Sequence, residues 1–230
     1  MKIINSTFRL TTALVFSAVM VACTTTPPTI QTGPDAELSF DGLHKVDNSL
    51  ADVAWARPDF DISGYNKILP VSAGVEYRQV KDRGKLMMAR SQGGPYFIDD
   101  KARRQFEALV AEVFTEEMQK LERYEIVDEP GPDVLMVHGG LLDVISYVPP
   151  DPIGGRSYIF LSSVGEATLV LELRDSETGT ILARSVDRRA AETIGDTFTH
   201  SNSVTNSAEA RMLIRHWATR LLEGLDGFGQ

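Results

Sequence analysis

Residues 167–174 place an apolar side chain at every second position, and this pattern constrains the fold more than any other in the chain. These positions are Ala167, Leu169, Leu171 and Leu173, and they alternate with Thr168, Val170, Glu172 and Arg174. A period of two is typical of a strand that buries one face. Residues 176–179, Ser-Glu-Thr-Gly, provide a turn with Gly179 suited to positive φ, and residues 180–189 return. The sequence therefore predicts an antiparallel hairpin over residues 165–189.

Three more segments read as strands: residues 67–78, 124–127 and 133–147. The first is predicted to place five residues on one side: Leu69, Val71, Ala73, Val75 and Tyr77. Pro70 lacks an N–H, so this strand should lie at a sheet edge or begin after the proline. The adjacent Gly139 and Gly140 indicate a bulge or a sharp twist in the strand that contains them.

Two segments read as helices, residues 99–123 and 207–225, because their apolar residues recur at spacings of three and four. Asp99 or Asp100 can cap the first helix. We expect an α+β fold, with a mostly antiparallel sheet of about four to five strands and two helices on one face. Residues 37–65 and 194–206 are predicted to be irregular.

The N-terminus reads as a secretory signal peptide over residues 1–22. Lys2 and Arg9 are the only charged residues among the first 34, and an apolar stretch follows over residues 10–22. That stretch is shorter than the ~20 apolar residues that span a membrane. Residues 20–23, Met-Val-Ala-Cys, are similar to the bacterial lipoprotein box, whose cysteine is acylated. We therefore expect lipidation at Cys23, a chance cysteine in an ordinary signal peptide being the alternative.

The predicted cleavage leaves 208 of 230 residues and, by removing two cations, changes the net charge from −9 to −11. Residues 23–36 are predicted to be the lipidated cysteine and a flexible tether, and residues 37–230 a single α+β domain. Acidity argues against nucleic acid as a partner. Residue 24 is Thr and not Asp, which by resemblance to sorted lipoproteins predicts an outer-membrane lipoprotein facing the periplasm.

No motif for catalysis or metal binding is present in the sequence. The four histidines are scattered without metal-ligand spacing, and no G-x-S-x-G nucleophile turn occurs. An acylated Cys23 could not act as a nucleophile. We expect no enzyme activity and no cofactor. His138 is interpreted as a structural, hydrogen-bonded side chain, and His216 is expected to face solvent.

Trp55, Phe60 and Tyr65 are the candidate binding residues, because aromatic side chains beside loops can anchor a partner. Local packing is the alternative for these three. We expect a non-enzymatic domain that binds an envelope protein while the lipid holds it on the membrane. The alternative function is a small-molecule or glycan binder, or a hydrolase, with a cleft near the Pro/Gly-rich loops 79–97 and 148–157. That alternative requires Asp143, His138 or His200 to lie close together.

Four stretches carry a family resemblance: AWARPDFDISGYNKILP, GPDVLMVHGGLLDV, ATLVLELRDSETGTILARSVDRR and RHWATRLLEGLD. Together they resemble a family of bacterial lipoproteins, domain of unknown function 3313, over most of residues 40–226. The shared pattern includes Arg-Pro after a Trp, Gly-Pro-Asp before a long strand, and a D-x-x-T-G turn. The resemblance implies a cell-envelope location and no assigned activity or site residues.

Overall fold

The computed structural model describes residues 26–84, 94–149, 159–192 and 198–227. The predicted signal peptide and the predicted lipidation site at Cys23 lie outside these ranges, as do parts of both Pro/Gly-rich loops.

The described residues form short strands at the start of the chain and long strands at its centre. The strands are β1 (Thr29–Ile30), β2 (His44–Asp47), β3 (Val53–Ala56), β4 (Lys67–Tyr77), β5 (Glu125–Ile126), β6 (Val134–Ser146), β7 (Phe160–Leu161), β8 (Ser163–Asp175), β9 (Ile181–Glu192) and β10 (Thr199–His200). The helices are α1 (Asp100–Met118) and α2 (Ser203–Gly227). The predicted hairpin, the three other predicted strands and both helices are therefore present, with shifted ends.

The main sheet has eight strands in the order β1-β2-β3-β9-β8-β6-β4-β5, and β7 and β10 form a separate two-stranded sheet. Neighbouring strands of the main sheet are antiparallel, except that β4 is parallel to both β6 and β5. The parallel pair is possible because α1 crosses between β4 and β6 in the chain. The fold is α+β and mostly antiparallel, but the expected count of four to five strands is wrong.

The additional strands come from segments that were predicted to be irregular. β2 and β3 lie within residues 37–65, and β3 pairs with β9 along its whole length. Strands of four residues are too short to show a clear period, so their pairing with β9 stabilises them. Likewise β10 and the first turn of α2 lie within residues 194–206.

β1 lies within residues 23–36, the range assigned to a flexible tether. Thr29 is opposite Asp47 and Ile30 is opposite Val46, and the Gln31 side chain donates to Asp47 Oδ1 at 2.8 Å. Among the described residues, strand pairing therefore begins at Thr29, ahead of residue 37.

Both helices cover one face of the sheet, as expected. Asp99 caps α1, since its side chain accepts a hydrogen bond from the Ala102 N–H. The core combines residues of α1, α2, β4, β6 and β8, and its most buried members include Ile68, Leu135, Leu141, Trp217 and Leu225. The inward residues of β8 are the predicted ones: Ala167, Leu169, Leu171 and, at the margin, Leu173.

A bulge in β4 changes which side chains face the core. Ser72 is opposite Gly139 and Gly74 is opposite Gly140, so Ala73 is an extra residue on β4. Ile68 and Tyr77 both join the core although they are nine residues apart. The prediction that Leu69 through Tyr77 share one side is therefore wrong, because the extra residue reverses the alternation.

Candidate functional site

We call the side of the main sheet opposite the helices the open face. On β8, the residues between the inward-facing Ala167, Leu169 and Leu171 point to this side. The strand register then places the corresponding residues of β3, β6 and β9 beside them.

An apolar strip crosses the middle of the open face. Val53, Val186, Val170 and Gly140 lie opposite one another on four neighbouring strands. Leu142, two residues from Gly140, is 41% exposed. A row of small and branched apolar residues on a pleated surface can bury against a flat partner.

The first ion-pair cluster lies on one side of the strip and is centred on Arg188. This guanidinium donates to Asp143 Oδ2 at 2.8 Å and to Glu166 Oε2 at 2.7 Å. Arg78 donates to Asp143 Oδ1 at 2.7 Å, and Tyr147 donates to Glu166 Oε1 at 2.6 Å. Asp143 has a φ of 53°, in the left-handed region that Asp tolerates better than most residues.

The second ion-pair cluster lies on the other side of the strip and is centred on Arg184. Its Nε donates to Glu172 Oε1 at 2.7 Å, and its Nη2 donates to Asp41 Oδ2 at 2.6 Å. Arg174 Nε donates to the other oxygen of Glu172 at 2.8 Å. The Phe40 ring lies 5.1 Å from the Arg184 guanidinium.

The carboxylates of both clusters have lowered pKa values. Hydrogen bonds from Arg78 and Arg188 lower the pKa of Asp143 to about 2. Hydrogen bonds from Tyr147 and Arg188 lower the pKa of Glu166. Burial acts to raise the pKa of Glu172, but the hydrogen bonds from Arg174 and Arg184 outweigh it. A general acid requires a raised pKa, so these carboxylates suit ion pairing and not proton donation at neutral pH.

The structure places the three candidate binding residues in different environments. Trp55 is opposite Arg184 in the β3–β9 register, on the open face beside the second cluster. Phe60 and Tyr65 pack against the hydrophobic core instead. The Tyr65 hydroxyl donates to Asp175 Oδ2 at 3.0 Å, and burial together with this carboxylate raises the pKa of Tyr65 to about 12.

Asp143, His138 and His200 are not brought together. Asp143 belongs to the first cluster, whereas His138 Nδ1 lies 3.6 Å from Glu172 Oε2 in the second. His200 is on β10, in the separate two-stranded sheet, with its ring against Phe160. The geometry that the alternative function requires is therefore absent from the described residues.

A pocket of about 500 Å³ lies between the loop before β2 and the β8–β9 turn. Its polar side chains are already paired: Asp41 with Arg184, His44 Nδ1 with the Gln31 carbonyl at 2.7 Å, and Arg57 with Asp59. Such a lining offers few free groups to orient a small polar ligand.

Sequence reasoning missed both clusters as units, because their members come from strands far apart in the chain. His216 is half-buried, with an Nε2 atom that is buried and finds no hydrogen bond among the described residues, so its predicted exposure is wrong. The described residues contain no group of three or more His, Cys, Asp or Glu placed to hold a metal ion. No described helix combines the length and hydropathy needed to cross a bilayer.

The model of a family described as "Protein of unknown function (DUF3313)" matches residues 37–221. Among curated proteins, none matches this sequence. Solved structures with a distant likeness include the PelC dodecamer from Paraburkholderia phytofirmans, at 11% identity and a TM-score of 0.32, covering 70% of this chain and 91% of that one.

A second is protein XCC0632 from Xanthomonas campestris, at 12% identity and a TM-score of 0.35, covering 76% of this chain and 91% of that one. A third is a putative neuraminyllactose-binding hemagglutinin homolog from Helicobacter pylori, at 13% identity and a TM-score of 0.35, covering 71% of this chain and 88% of that one. At this distance, function has to be argued from the residues of the chain itself.

Proposed function

We propose that this chain, which belongs to the DUF3313 family of proteins of unknown function, is an outer-membrane lipoprotein whose periplasmic domain binds another envelope protein through the open face. Cys23 carries the acyl chains, and the domain has no catalytic role. The observation that carries the binding proposal is the apolar strip between two ion-pair clusters.

The arrangement has the anatomy of a protein interface, with an apolar centre and a charged, hydrogen-bonded rim. Val170 and Val186 face each other in the strip, while the Thr168–Arg188 and Glu172–Arg184 pairs lie two residues away on either side. The rim arginines are already held by carboxylates, so little side-chain entropy would be lost when a partner binds. A partner with apolar side chains flanked by polar ones would fit this surface.

The dimensions of the open face predict a weak and reversible complex. Five strands spaced by about 4.8 Å give a width of about 20 Å, and the eight residue-to-residue steps from Glu166 to Arg174 give a length of about 26 Å. The product, on the order of 500 Å², is below the ~800 Å² per partner of a standard interface. We therefore expect a transient complex in which rim charges determine orientation.

Photo-cross-linking in intact cells tests the binding surface. Leu142 on the open face and Met212 on α2 are both 41% exposed, so a benzophenone amino acid at either position samples surroundings equally. A specific adduct from position 142, absent from position 212, supports the proposal. Identical adducts at both positions, or none at 142, would count against it.

Acylation is tested separately by palmitate labelling and membrane fractionation of the wild type and Cys23→Ala. The wild type should carry label and sediment with outer membranes. The variant should lose the label and appear in the soluble periplasmic fraction. An unlabelled wild type with a titratable thiol would refute the anchor.

A further inference from the structure

The exposed β7–β10 ribbon, which we call the ribbon end, is a surface whose composition suits a lipid bilayer. Phe160, Phe198 and Val204 are 57%, 71% and 76% exposed. His200 is opposite Phe160 in the ribbon, and Thr205 Oγ1 donates to the His200 carbonyl at 2.7 Å, so the start of α2 is joined to it. The three apolar side chains therefore lie on one continuous piece of the domain.

The two described segments of the ribbon end lack ionic charge in a chain that is otherwise rich in it, and Glu192 of β9, opposite Ser163, is a charged neighbour. Residues 159–165 and 198–208 contain no Asp, Glu, Lys or Arg, although these residues make up 24% of the whole sequence. Their polar side chains are hydroxyl, amide and imidazole groups. Exposed aromatic and branched residues among such groups are typical of a membrane-interface surface.

Phe40 lies at the opposite end of the sheet and is more exposed than Phe160, Phe198 or Val204, but its surroundings are charged. It contacts Arg184 and is next to Asp41, so desolvating its ring would also desolvate an ion pair. The bilayer is therefore more easily approached by the ribbon end than by the end that carries Phe40.

The path of the chain points to the same end. Thr29 of β1 is opposite Asp47 of β2, and β2 is antiparallel to β3. Val53 of β3 is in turn opposite Val186 of β9, so β1 runs antiparallel to β9. Residues before Thr29 therefore leave β1 in the direction in which β9 runs towards Glu192. Ser163, two residues beyond β7, is opposite Glu192, so the ribbon is at this end of the sheet.

Two lengths limit how far the domain can stand from its anchor. Cys23 is six residues before Thr29, which allows about 20 Å of extended chain. Glu192 is six residues beyond Val186, which is about 20 Å along the strand. The linker from Cys23 to Thr29 is therefore about as long as the part of β9 that extends beyond the level of Thr29. When this linker runs along the strands, the ribbon end lies at the bilayer surface.

We infer that the ribbon end rests on the membrane that holds the acylated Cys23, with the strands steeply inclined to the bilayer, so that the open face points sideways and is exposed to the periplasm. This orientation rests on the proposed lipid anchor. Phe160, Phe198 and Val204 then enter the headgroup region, and the open face remains accessible to a protein partner.

Fluorescence quenching tests the orientation. The lipidated protein, whose own cysteine is acylated, receives one new thiol by Phe198→Cys, Glu177→Cys or Glu37→Cys and carries an environment-sensitive dye there. Glu177 is in the β8–β9 turn at the opposite end, and Glu37 is beside β2 near the β1 edge. The vesicles contain phosphatidylethanolamine, a minor share of phosphatidylglycerol and a headgroup nitroxide lipid.

Dye at position 198 should be quenched several-fold more than dye at 177 or 37. Equal quenching at all three positions, or strongest quenching at 37, overturns the orientation while vesicle flotation still reports the anchor. Failure to float with the vesicles removes the anchor and the orientation together. With dye at Val204→Cys, the changes Phe160→Ser and Phe198→Ser should lower quenching without affecting flotation, and unchanged quenching would show that the rings do not hold this end on the bilayer.

Discussion

Trp217 of α2 donates its indole N–H to Asp187 Oδ2 of β9 at 2.7 Å, in a site where both residues are buried. Arg189 also binds this carboxylate, and the Asp52 backbone N–H donates to its other oxygen at 3.2 Å. Burial acts to raise the pKa of Asp187, but the hydrogen bonds from Arg189 and Trp217 outweigh it and the pKa is lowered. One carboxylate therefore joins α2, β9 and the start of β3.

Asp187→Ala should lower the free energy of unfolding by about 1–3 kcal/mol, because the buried indole N–H loses its acceptor. Urea unfolding measures the change, and a cycle with Trp217→Phe should give a coupling energy of about 0.5 kcal/mol or more. Asp133→Ala is the control, since the pair of Asp133 with Lys67 is about one-third exposed and should contribute under about 1 kcal/mol. Equal losses at 187 and 133 would contradict this account.

Gly140 should not tolerate a side chain, whereas its neighbour Gly139 should. A Cβ at 140 would lie 2.9 Å from the Ala73 Cβ, while a Cβ at 139 would meet its nearest neighbour, Leu171 Cγ, at 4.0 Å. Gly140→Ala should cost about 1–3 kcal/mol in thermal or urea unfolding, and adding Ala73→Gly should recover much of it. Gly139→Ala should be neutral or stabilising by up to about 1 kcal/mol. A reversed order of the two variants would show that the bulge does not bring β4 and β6 this close.

Pro70 should protect an open sheet edge. The Ile68 carbonyl accepts from Val127 N–H at 2.9 Å, so the backbone groups of Ile68, and by alternation those of Pro70, point away from β6. β5 pairs only with Lys67 and Ile68, and no other described strand continues on this side. Pro70→Thr restores an N–H at the edge and should increase self-association in light scattering. Val71→Thr changes the same strand without adding a donor and should remain at the wild-type size.

His216 should make the fold less stable as the pH falls below neutral. Burial lowers the pKa of His216 below its ordinary 6.5, and the positive charges of Arg189 and Arg220 lower it further. The carboxylates of Asp187 and Glu223 act to raise this pKa but are outweighed. Below about pH 6.5 the unfolded chain therefore binds this proton before the folded chain does, and the free energy of unfolding decreases.

In His216→Gln, the urea midpoint should change less with pH than in the wild type between about pH 6.5 and pH 5. This interval lies above the range in which most carboxylates titrate. A slope that persists unchanged in His216→Gln would assign it to other groups.

The residues alone predicted the hairpin, the long strands β4 and β6, and both helices. Each of these elements buries one face, and burial imposes a period of two or of three to four that remains visible in the residues. The bulge that Gly139 and Gly140 predicted for their own strand is wrong, because the extra residue is Ala73 of the neighbouring β4 and β6 passes through both glycines in register with β8. The acylation of Cys23 remains a prediction of the sequence, since the residue lies outside the described ranges.

The eight-strand order, the two ion-pair clusters and the acceptor of the Trp217 indole depend on long-range packing and could not be predicted from local patterns. Arg184 and Asp41 are 143 residues apart in the chain, and they meet because β2, β3 and β9 pair side by side. Strands of two to four residues bury too little to leave a period, so they exist because a longer neighbour supplies their hydrogen bonds. Local sequence patterns record which face of an element is buried, whereas the identity of the neighbour across that face depends on contacts between distant parts of the chain.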